Sequence, residues 1–402
     1  MQQLADKLIQ HCALLQGLPH ELTYLLVEIV FGSLMLMLFV APFAGIISWV
    51  ERRVAARMMD RIGPNRVGPQ GFLQWLADGV KSLLKEDIVP SSADSFLFRL
   101  APYLVFAGMF MAFVSIPFTS RVIIADLNVG IFYIIAVTSL VVIGILMSGW
   151  ASNNKFSLLG GMRSAAQIIS YEIPAGLAIL VVVLMSGSLS LQEIIKAQGA
   201  HPWNWFIFDN PFSFCSFFIL FISSLAEGNR TPFDIPEAES ELVSGYSTEY
   251  SGMRFVFFYF EEWANLYLIA AVGVTLFFGG WQIPPSVREW AVGVHFVLPH
   301  ILEFATFFIK AMSLVFVIIW IRWTLPRLRV DQLMAMCWQY LIPLGFVMVL
   351  GTATWIVLFP QGVPLVRYVL FSGTLGLFGY FFYRVVFHLR YTKAELQFNP
   401  FV

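Results

Sequence analysis

The chain has 402 residues, of which 58% are hydrophobic and 12% are charged, and its mean hydropathy is +0.77. A chain of this composition lacks the polar side chains needed to cover a water-exposed surface, which excludes a soluble globular protein. The formal net charge is −1, so the composition gives no reason to expect a nucleic-acid partner.

The N-terminal segment, residues 1–22, predicts a helix that lies at the membrane surface. Its sequence "MQQLADKLIQHCALLQGLPH" is not strongly basic, and no small-residue cleavage pattern follows it. Both features distinguish it from a secretory signal peptide. We therefore expect this segment to remain as an interfacial helix.

Nine apolar runs follow along the chain, each long enough to cross a bilayer. In hydrocarbon, such a run satisfies its own backbone hydrogen bonds only as a helix. The predicted fold is therefore an all-α integral membrane protein with nine transmembrane helices and amphipathic interfacial helices. The predicted spans have their cores near 24–49, 98–119, 129–150, 165–187, 208–225, 255–279, 299–321, 340–359 and 366–387.

Lys and Arg residues are distributed unequally between the two sides of these spans. Most of them lie in the connections after spans one, three, five and seven and in the C-terminal tail. The positive-inside rule assigns this basic side to the cytoplasm. The N-terminus is thus predicted outside and the C-terminus inside, which agrees with an odd number of spans.

The first long connection on the basic side, 51–97, predicts a second amphipathic helix. Gly63 and Pro64 end the helix that leaves the membrane, and "GFLQWLADGVKSLLKE" restarts a helical pattern with one polar and one apolar face. Such a helix is expected to lie flat among the lipid headgroups. Its apolar face is formed by Phe72, Leu76, Val80, Leu83 and Leu84.

The second long connection, 226–254, is acidic although it lies on the basic side. Its stretch "AEGNRTPFDIPEAESELVSGYSTEY" holds six carboxylates and one base, Arg230. Asp234 and Glu237 fit the D-x-x-E pattern of a helix capping box. Glu237 and Glu241 are four residues apart, so on one helix face they repel each other.

This crowding has two alternative interpretations. Crowded carboxylates have raised pKa values, which lets them take up and pass on protons near neutral pH. A solvated acidic loop that docks a basic partner explains the same composition. The residues alone leave both open.

Charged residues inside predicted spans are costly and therefore suggest function. Glu172 precedes Pro174 in span four, where it is either a proton-transfer group or a protonated carboxyl hydrogen-bonded between helices. Glu261 and Glu262 are adjacent and point about 100° apart, so at least one is expected to face the bundle interior. Structural roles are expected for Glu28, Glu303 and Lys310.

Sequence motifs for bound cofactors do not occur in the chain. The three cysteines, Cys12, Cys215 and Cys337, form no CxxC pair, and the six histidines show no metal-ligand spacing. There is also no glycine-rich nucleotide-binding loop. We therefore expect no metal and no cofactor on this chain.

Five long motifs carry a specific resemblance. They are "ERRVAARMMDRIGPNRVGPQG", "LADGVKSLLKEDIVP", "SGWASNNKFSLLGGMRSAAQIISYEIP", "AEGNRTPFDIPEAESELVSGYSTEYSGMRF" and "RWTLPRLRVDQLM". In this order they resemble the H-type membrane subunit of the proton-pumping NADH:quinone oxidoreductase, respiratory complex I. The resemblance covers residues 23–360, a domain with eight spans. Relatives usually end there, so residues 361–402 add a ninth span and a cytoplasmic tail.

The resemblance implies a membrane-arm subunit of a translocating oxidoreductase, with no complete active site of its own. It implies that the chain anchors the hydrophilic arm, forms the tunnel through which quinone enters, and starts the proton path. NADH, FMN and iron–sulfur clusters belong to partner subunits. Expected partners are the hydrophilic-arm subunits that form the quinone site, small membrane-arm subunits, quinone and lipid. The implied location is a bacterial inner membrane, with an organellar energy-transducing membrane as the alternative.

The same resemblance implies roles for individual residues. The implied proton path consists of Glu172, Glu227, Asp234, Glu237, Glu239, Glu241 and Glu262. The implied quinone tunnel is lined by Glu51, Arg52, Asp78, Lys81 and Arg230. Glu262 is preferred to Glu261 because "EEWANLY" aligns with a family pattern. The residues expected to touch the hydrophilic arm are Arg322, Arg327 and Arg329. Some relatives have an acid in span three, where this chain has Thr138 and Ser139.

Two other functions compete with this one. The matching component of a membrane-bound hydrogenase, or of a ferredoxin- or deazaflavin-fed complex, has the same spans, but the long matches in the first basic connection favour the quinone enzyme. A stand-alone ion carrier is the other alternative. Secondary transporters usually contain internal repeats, and the two halves of this chain show none.

Overall fold

The computed structural model describes residues 20–236, 238–295, 297–360 and 362–398. Residues 1–19 of the predicted interfacial helix, with Cys12, lie outside the described residues, as does Glu237. The described ranges are predominantly helical and contain no β-strand. This confirms the prediction of an all-α membrane protein.

Fourteen α-helices make up this described part of the chain, with short 3₁₀ turns between some of them. The first seven are α1 (His20–Met58), α2 (Gln74–Leu84), α3 (Ser95–Ala112), α4 (Gly130–Ala151), α5 (Lys155–Ser186), α6 (Leu191–Ala197) and α7 (Phe206–Asp209). The others are α8 (Pro211–Glu227), α9 (Glu239–Leu242), α10 (Gly252–Phe277), α11 (Pro285–Val294), α12 (Leu298–Thr324), α13 (Val330–Leu358) and α14 (Pro364–Phe398).

Seven of the described helices are long and apolar enough to cross a membrane: α3, α4, α5, α10, α12, α13 and α14. The shorter apolar helix α8 and the long helix α1 cover the other two predicted spans. The total of nine spans and the orientation of the chain stay predictions.

Helix ends follow local polar signals in the sequence. The Asp94 carboxylate accepts hydrogen bonds from the backbone of Phe96 and Leu97 at the start of α3. Asn154 caps α5 in the same way, and Asn210 with Ser213 forms a capping box at the start of α8. These side chains satisfy backbone N–H groups that have no partner within the helix. They fix where the membrane helices begin.

Helices α4 and α5 cross at very short range because glycines face each other. A Cβ atom at Gly149 would lie 2.6 Å from the Ser157 carbonyl oxygen and 3.2 Å from the Cα of Gly161. No larger residue fits there without moving a backbone. This crossing holds α5, which bears Glu172, firmly against α4, which bears Thr138.

Helix α13 packs on the other side of α5 through a π-helical turn at Met336–Leu341. Within this turn, the buried Cys337 thiol lies 3.1 Å from the Ser170 carbonyl oxygen, which accepts its hydrogen bond. The Tyr171 hydroxyl donates to the Leu333 carbonyl at 2.9 Å. These bonds fix the backbone of α5 just before Glu172, and α5 continues through Pro174 as one helix.

Helix α14, the predicted ninth span, is the least buried of the seven long apolar helices. Within Pro364–His388, no residue of its most apolar stretch is buried. Its start is held by Arg367, whose Nε donates to the Asp209 carboxylate at 2.6 Å. The Phe371 ring packs edge-on against Phe208. Its other faces are open to lipid or to a neighbouring protein.

Two charged residues with expected structural roles have partners within the chain. Lys310 Nζ donates to the carbonyl oxygens of Phe278 at 2.8 Å and Gly280 at 3.0 Å, at the C-terminal end of α10. Glu303 is fully buried and accepts from the Ser120 hydroxyl at 2.7 Å. The described contacts thus agree with both structural interpretations, whereas the side chain of Glu28 lies outside the described residues.

Candidate functional site

The first part of the site is a buried network built around Arg230. Helix α8 ends at Glu227, and the chain then turns Arg230 into the interior, where its residue is 1% exposed. Its Nη1 lies 3.1 Å from a Glu51 carboxylate oxygen, and its Nε lies 3.2 Å from a Glu262 carboxylate oxygen. Its Nη2 also donates to the Glu262 carbonyl at 3.1 Å. One guanidinium thereby joins α1, α10 and the acidic connection.

Arg322 of α12 completes this network. Its Nη1 lies 2.6 Å from Glu51 and 3.5 Å from Glu262, so both carboxylates contact both guanidiniums. Burial alone would lower the pKa of Arg230, but the neighbouring Glu262 and Glu51 carboxylates outweigh it and raise that pKa. We call these four side chains the charge network. Its two positive and two negative groups balance each other when all are ionised.

The turn that carries Arg230 is held in place by Gln167 of α5. The buried Gln167 amide donates to the carbonyl oxygens of Ala226 and Phe233, each at 2.8 Å. The backbone on both sides of Arg230 is therefore fixed to a membrane helix. This support keeps the buried Arg230 guanidinium in position to contact its carboxylate partners.

A second, more exposed cluster adjoins the charge network at α2. Arg52, the residue after Glu51, places its Nη1 2.5 Å from the Asp78 carboxylate, and Lys81 Nζ lies 4.0 Å from the same residue. The polar face of α2 is therefore turned towards α1. Leu76, Val80 and Leu84 of its apolar face are exposed and, together with Val67, line an open groove of about 730 Å³.

The third part of the site is a pair of small cavities between α4, α5, α8 and α10. Their volumes are about 60 and 30 Å³. Four polar residues line both of them: Thr138, Glu172, Glu227 and Asn265. Glu261 lines the smaller cavity, and the Asn265 amide donates to its carboxylate at 3.4 Å. We call this pair the acid cavity.

Adjacent glutamates on α10 connect the charge network with the acid cavity. Glu262 contacts Arg230 and Arg322, whereas Glu261 is 6% exposed and faces Glu172 and Glu227 across the cavity. Adjacent positions on a helix point about 100° apart, which is why the two acids reach different surroundings. The resemblance selected Glu262 alone. The 100° spacing predicted only that at least one of the two faces the bundle interior, and Glu261 is the one beside the other buried acids.

The outer part of the acidic connection is ion-paired at the surface. Asp234 lies 3.0 Å from Arg327, and Glu241 lies 2.5 Å from Arg163. These four residues border a surface cavity of about 410 Å³ or lie beside it. Arg230 is thus not the only base near these acids. The side chain of Glu239 lies outside the described residues.

No helix begins directly after Asp234, where the D-x-x-E pattern of Asp234 and Glu237 suggests one, because Ile235 and Pro236 are not helical. Glu237 itself lies outside the described residues. Helix α9 begins only at Glu239, and its N-cap residue Ala238 offers no side-chain hydrogen bond. Asp234 lies before this helix in non-helical backbone and pairs with Arg327 across the fold.

Two residues of the acid cavity, Thr138 and Asn265, were given no role from the sequence, and Arg322 of the charge network was given a different one. Arg322 was expected to contact the hydrophilic arm, yet its guanidinium is directed inward to Glu51. The "EEWANLY" motif contains Asn265 four residues after Glu261, which is the helical spacing for a contact. Thr138 stood out in the sequence only as a polar residue in span three, where some relatives have an acid. Across the described residues, no group of three or more His, Cys, Asp or Glu side chains can hold a metal ion.

The fold and this site define a multi-pass, all-α membrane protein in which a buried network of arginines and glutamates adjoins a cavity lined by acids.

Comparison with known proteins identifies the family. The family model described as NADH dehydrogenase matches residues 31–353. The NADH-quinone oxidoreductase H subunit of Anaeromyxobacter dehalogenans (strain 2CP-C) is 56% identical over 336 residues, which is 81% of this chain and 81% of that protein. The same-named proteins of Chlorobium luteolum and Phocaeicola vulgatus are 49% and 46% identical, covering 77% and 83% of this chain and 84% and 92% of their own. The chain therefore belongs to the NADH dehydrogenase family that includes the H subunit of NADH-quinone oxidoreductase. This confirms the family predicted from the sequence motifs.

Proposed function

We propose that this chain is the membrane subunit of a bacterial NADH-quinone oxidoreductase that lines the tunnel through which quinone enters and starts the proton path. Family membership supports the parent enzyme, because the named relatives are subunits of NADH-quinone oxidoreductases. The observation that carries the mechanism is the pair Glu261 and Glu262, which join the charge network to the acid cavity.

The quinone end of the path lies, in this proposal, at Glu51, Arg52, Asp78, Lys81 and Arg230. These residues form two connected ion-pair clusters between α1, α2 and the acidic connection. Reduction of a quinone beside them adds negative charge and draws protons. The charge network is balanced and lies in a poorly solvated site, where charges are weakly screened. A new charge nearby therefore has a large effect on the protonation of its carboxylates.

In the next step, the change of charge at the charge network alters the protonation of the acids in the acid cavity. A shift of Arg230 or Arg322 towards the reduced quinone leaves Glu262 less neutralised, which favours its protonation and that of Glu261 next to it. Glu261 then exchanges a proton with Glu227 and Glu172 across the cavity. Protons pass from Glu172 towards the next membrane subunit. Coupling of quinone reduction to proton transfer requires that these carboxylates have two states, which differ in how strongly they bind a proton.

The outer acids serve the junction with the hydrophilic arm. Asp234 and Glu241 hold Arg327 and Arg163 around the surface cavity, in the connection that also contains Glu237 and Glu239. Together with Arg329, these groups offer charges of both signs to a docking subunit, which favours a defined orientation. Protons that reach Glu227 enter through this acidic connection.

The proposal assigns the redox cofactors elsewhere. NADH, FMN and the iron–sulfur clusters are held by hydrophilic-arm partners, and quinone is the substrate that this chain contacts. Further partners are small membrane-arm subunits and lipid. The location proposed is the bacterial inner membrane, in agreement with the bacterial sources of the named relatives.

The test uses Glu172→Gln and Glu227→Gln in the assembled complex. Each variant removes an ionisable group but keeps its shape, so quinone-linked turnover and proton pumping should fall at least about a hundredfold, the scale of losing a proton-transfer group. Electron transfer from NADH to an artificial acceptor that bypasses quinone should not change.

The matched control is Glu289→Gln, which removes an exposed acid of α11 that lies outside the site. It should leave every rate unchanged. Wild-type pumping in a fully assembled Glu172→Gln, Glu227→Gln double variant would refute the proposed proton path.

A further inference from the structure

The acid cavity separates its carboxylates instead of pairing them directly. Glu172 and Glu227 come from different helices, and among the contacts of the described residues no hydrogen bond joins either of them to the other or to Glu261. The space between them has volumes of about 60 and 30 Å³. A proton cannot cross such a gap without an intervening group.

The size of the space defines what can fill it. A water molecule needs about 10–15 Å³ of such volume and two to four polar partners. The larger cavity therefore has room for roughly four waters and the smaller for roughly two. Its carboxylates supply some of the partners, but the rest of the wall is largely aliphatic.

Ser224 lines only the larger cavity, and two neutral polar side chains line both cavities and offer further partners. Thr138 directs its hydroxyl hydrogen to the Ile134 or Ile135 carbonyl at 3.0 Å, which leaves its oxygen as an acceptor at the cavity wall. Asn265 uses one amide hydrogen on Glu261, at 3.4 Å, and carries another donor and an acceptor. Both residues line both cavities.

We propose that Thr138 and Asn265 hold a short chain of water molecules that carries protons between Glu261, Glu227 and Glu172. Neither residue gains or loses a proton in this role. They are positioning residues: they fix the oxygen atoms of the waters between the carboxylates. This inference rests on the proposed function, because it specifies how protons cross the acid cavity.

The experiment replaces each polar group by an apolar one of similar shape in the assembled, membrane-embedded complex. Thr138→Val and Asn265→Leu should each lower kcat for quinone-linked proton pumping about tenfold, the equivalent of one lost hydrogen bond in the transition state. KM for quinone should stay the same, because the cavity lies apart from the proposed quinone site. The solvent deuterium isotope effect should rise, since proton transfer becomes slower.

Two further variants separate positioning from packing. Thr138→Ser keeps the hydroxyl and should retain the wild-type rate. Ser139→Ala removes the hydroxyl of the next residue, which bonds to the Ala136 carbonyl outside the cavity, and should also have no effect. If Asn265→Leu fails to assemble, Thr138→Val decides the question alone, because it changes only a hydroxyl to a methyl group.

The outcomes separate this inference from the proposed function. Wild-type pumping in Thr138→Val and Asn265→Leu, together with impaired Glu172→Gln and Glu227→Gln variants, would overturn the water chain but keep the proton path. Normal pumping in the glutamine variants as well would overturn both. An experimental map of the complex with no ordered water beside Thr138 and Asn265 would also overturn the inference.

Discussion

At the scale of single residues, Arg230 has the most demanding environment in the described chain. It is 1% exposed, contacts two buried carboxylates and stacks 4.9 Å from the ring centre of Trp263. A buried pair is not in itself strongly stabilising, but an unpaired buried charge is very costly. Removal of the Arg230 guanidinium is therefore expected to destabilise the fold strongly.

Arg230→Gln should destabilise the protein by about 3–5 kcal/mol, because Glu51 and Glu262 lose a shared counter-charge in a buried site. We expect little of this variant in membranes and a clearly lowered Tm of any complex that forms. Arg230→Lys should also be impaired, because an ammonium group cannot replace the planar fork of a guanidinium.

Arg327→Gln provides the control for this change. It breaks the surface pair with Asp234, and pairs of this kind contribute about 0–1 kcal/mol. An equal loss of stability in both glutamine variants would contradict the special position of Arg230.

At the scale of helices and connections, the acidic segment depends on close backbone packing against α5. A Cβ atom at Gly160 would lie 2.7 Å from both the Gly245 Cα and the Tyr246 backbone nitrogen. Gly245 itself has a φ of 56°, a conformation that favours glycine. The two glycines thus set how closely the connection with Glu241 approaches the membrane helix.

Gly160→Ala should push this connection away from α5 and cost about 1–3 kcal/mol, the usual range for overpacking. The thermal unfolding of the purified complex measures the change, and quinone-linked turnover should fall with it. Gly373→Ala on α14 is the control, since a Cβ there meets nothing within 4 Å. A tolerated Gly160→Ala would show that the connection is not held by this contact.

Much of the fold was predictable because long apolar runs leave the backbone no alternative to a helix. The amphipathic helix α2 also followed from its periodicity. The acidic connection was less predictable: local rules suggested a helix start at Asp234, yet no helix begins there, and Arg327, 93 residues away, binds this carboxylate. Likewise, nothing local directs Arg322 inward. Side-chain direction across a fold depends on partners from distant segments, which sequence order does not provide.

At the scale of the whole molecule, α14 differs from the rest of the chain. The family model ends at residue 353, before this helix begins. Few of its side chains pack on the described body, and the pair of Arg367 with Asp209 is its main polar attachment. We propose that residues 361–402 are an addition to the eight-span domain of residues 23–360.

A chain that ends at Pro360 should therefore assemble and keep its quinone-linked rate, with a Tm change below about 4 °C. Asp209→Asn in the full chain, which weakens only the attachment of α14, should have a still smaller effect. Loss of the complex on truncation would instead identify α14 as a docking element for a neighbouring protein.

The dimensions of the acid cavity have a consequence for energy conservation. Spaces of about 60 and 30 Å³ admit a few waters but not a quinone ring. In the proposed mechanism, the quinone and the pumped protons therefore occupy separate spaces on this chain, and the coupling between them is electrostatic. Such a separation would prevent a pumped proton from returning through the quinone without work being done.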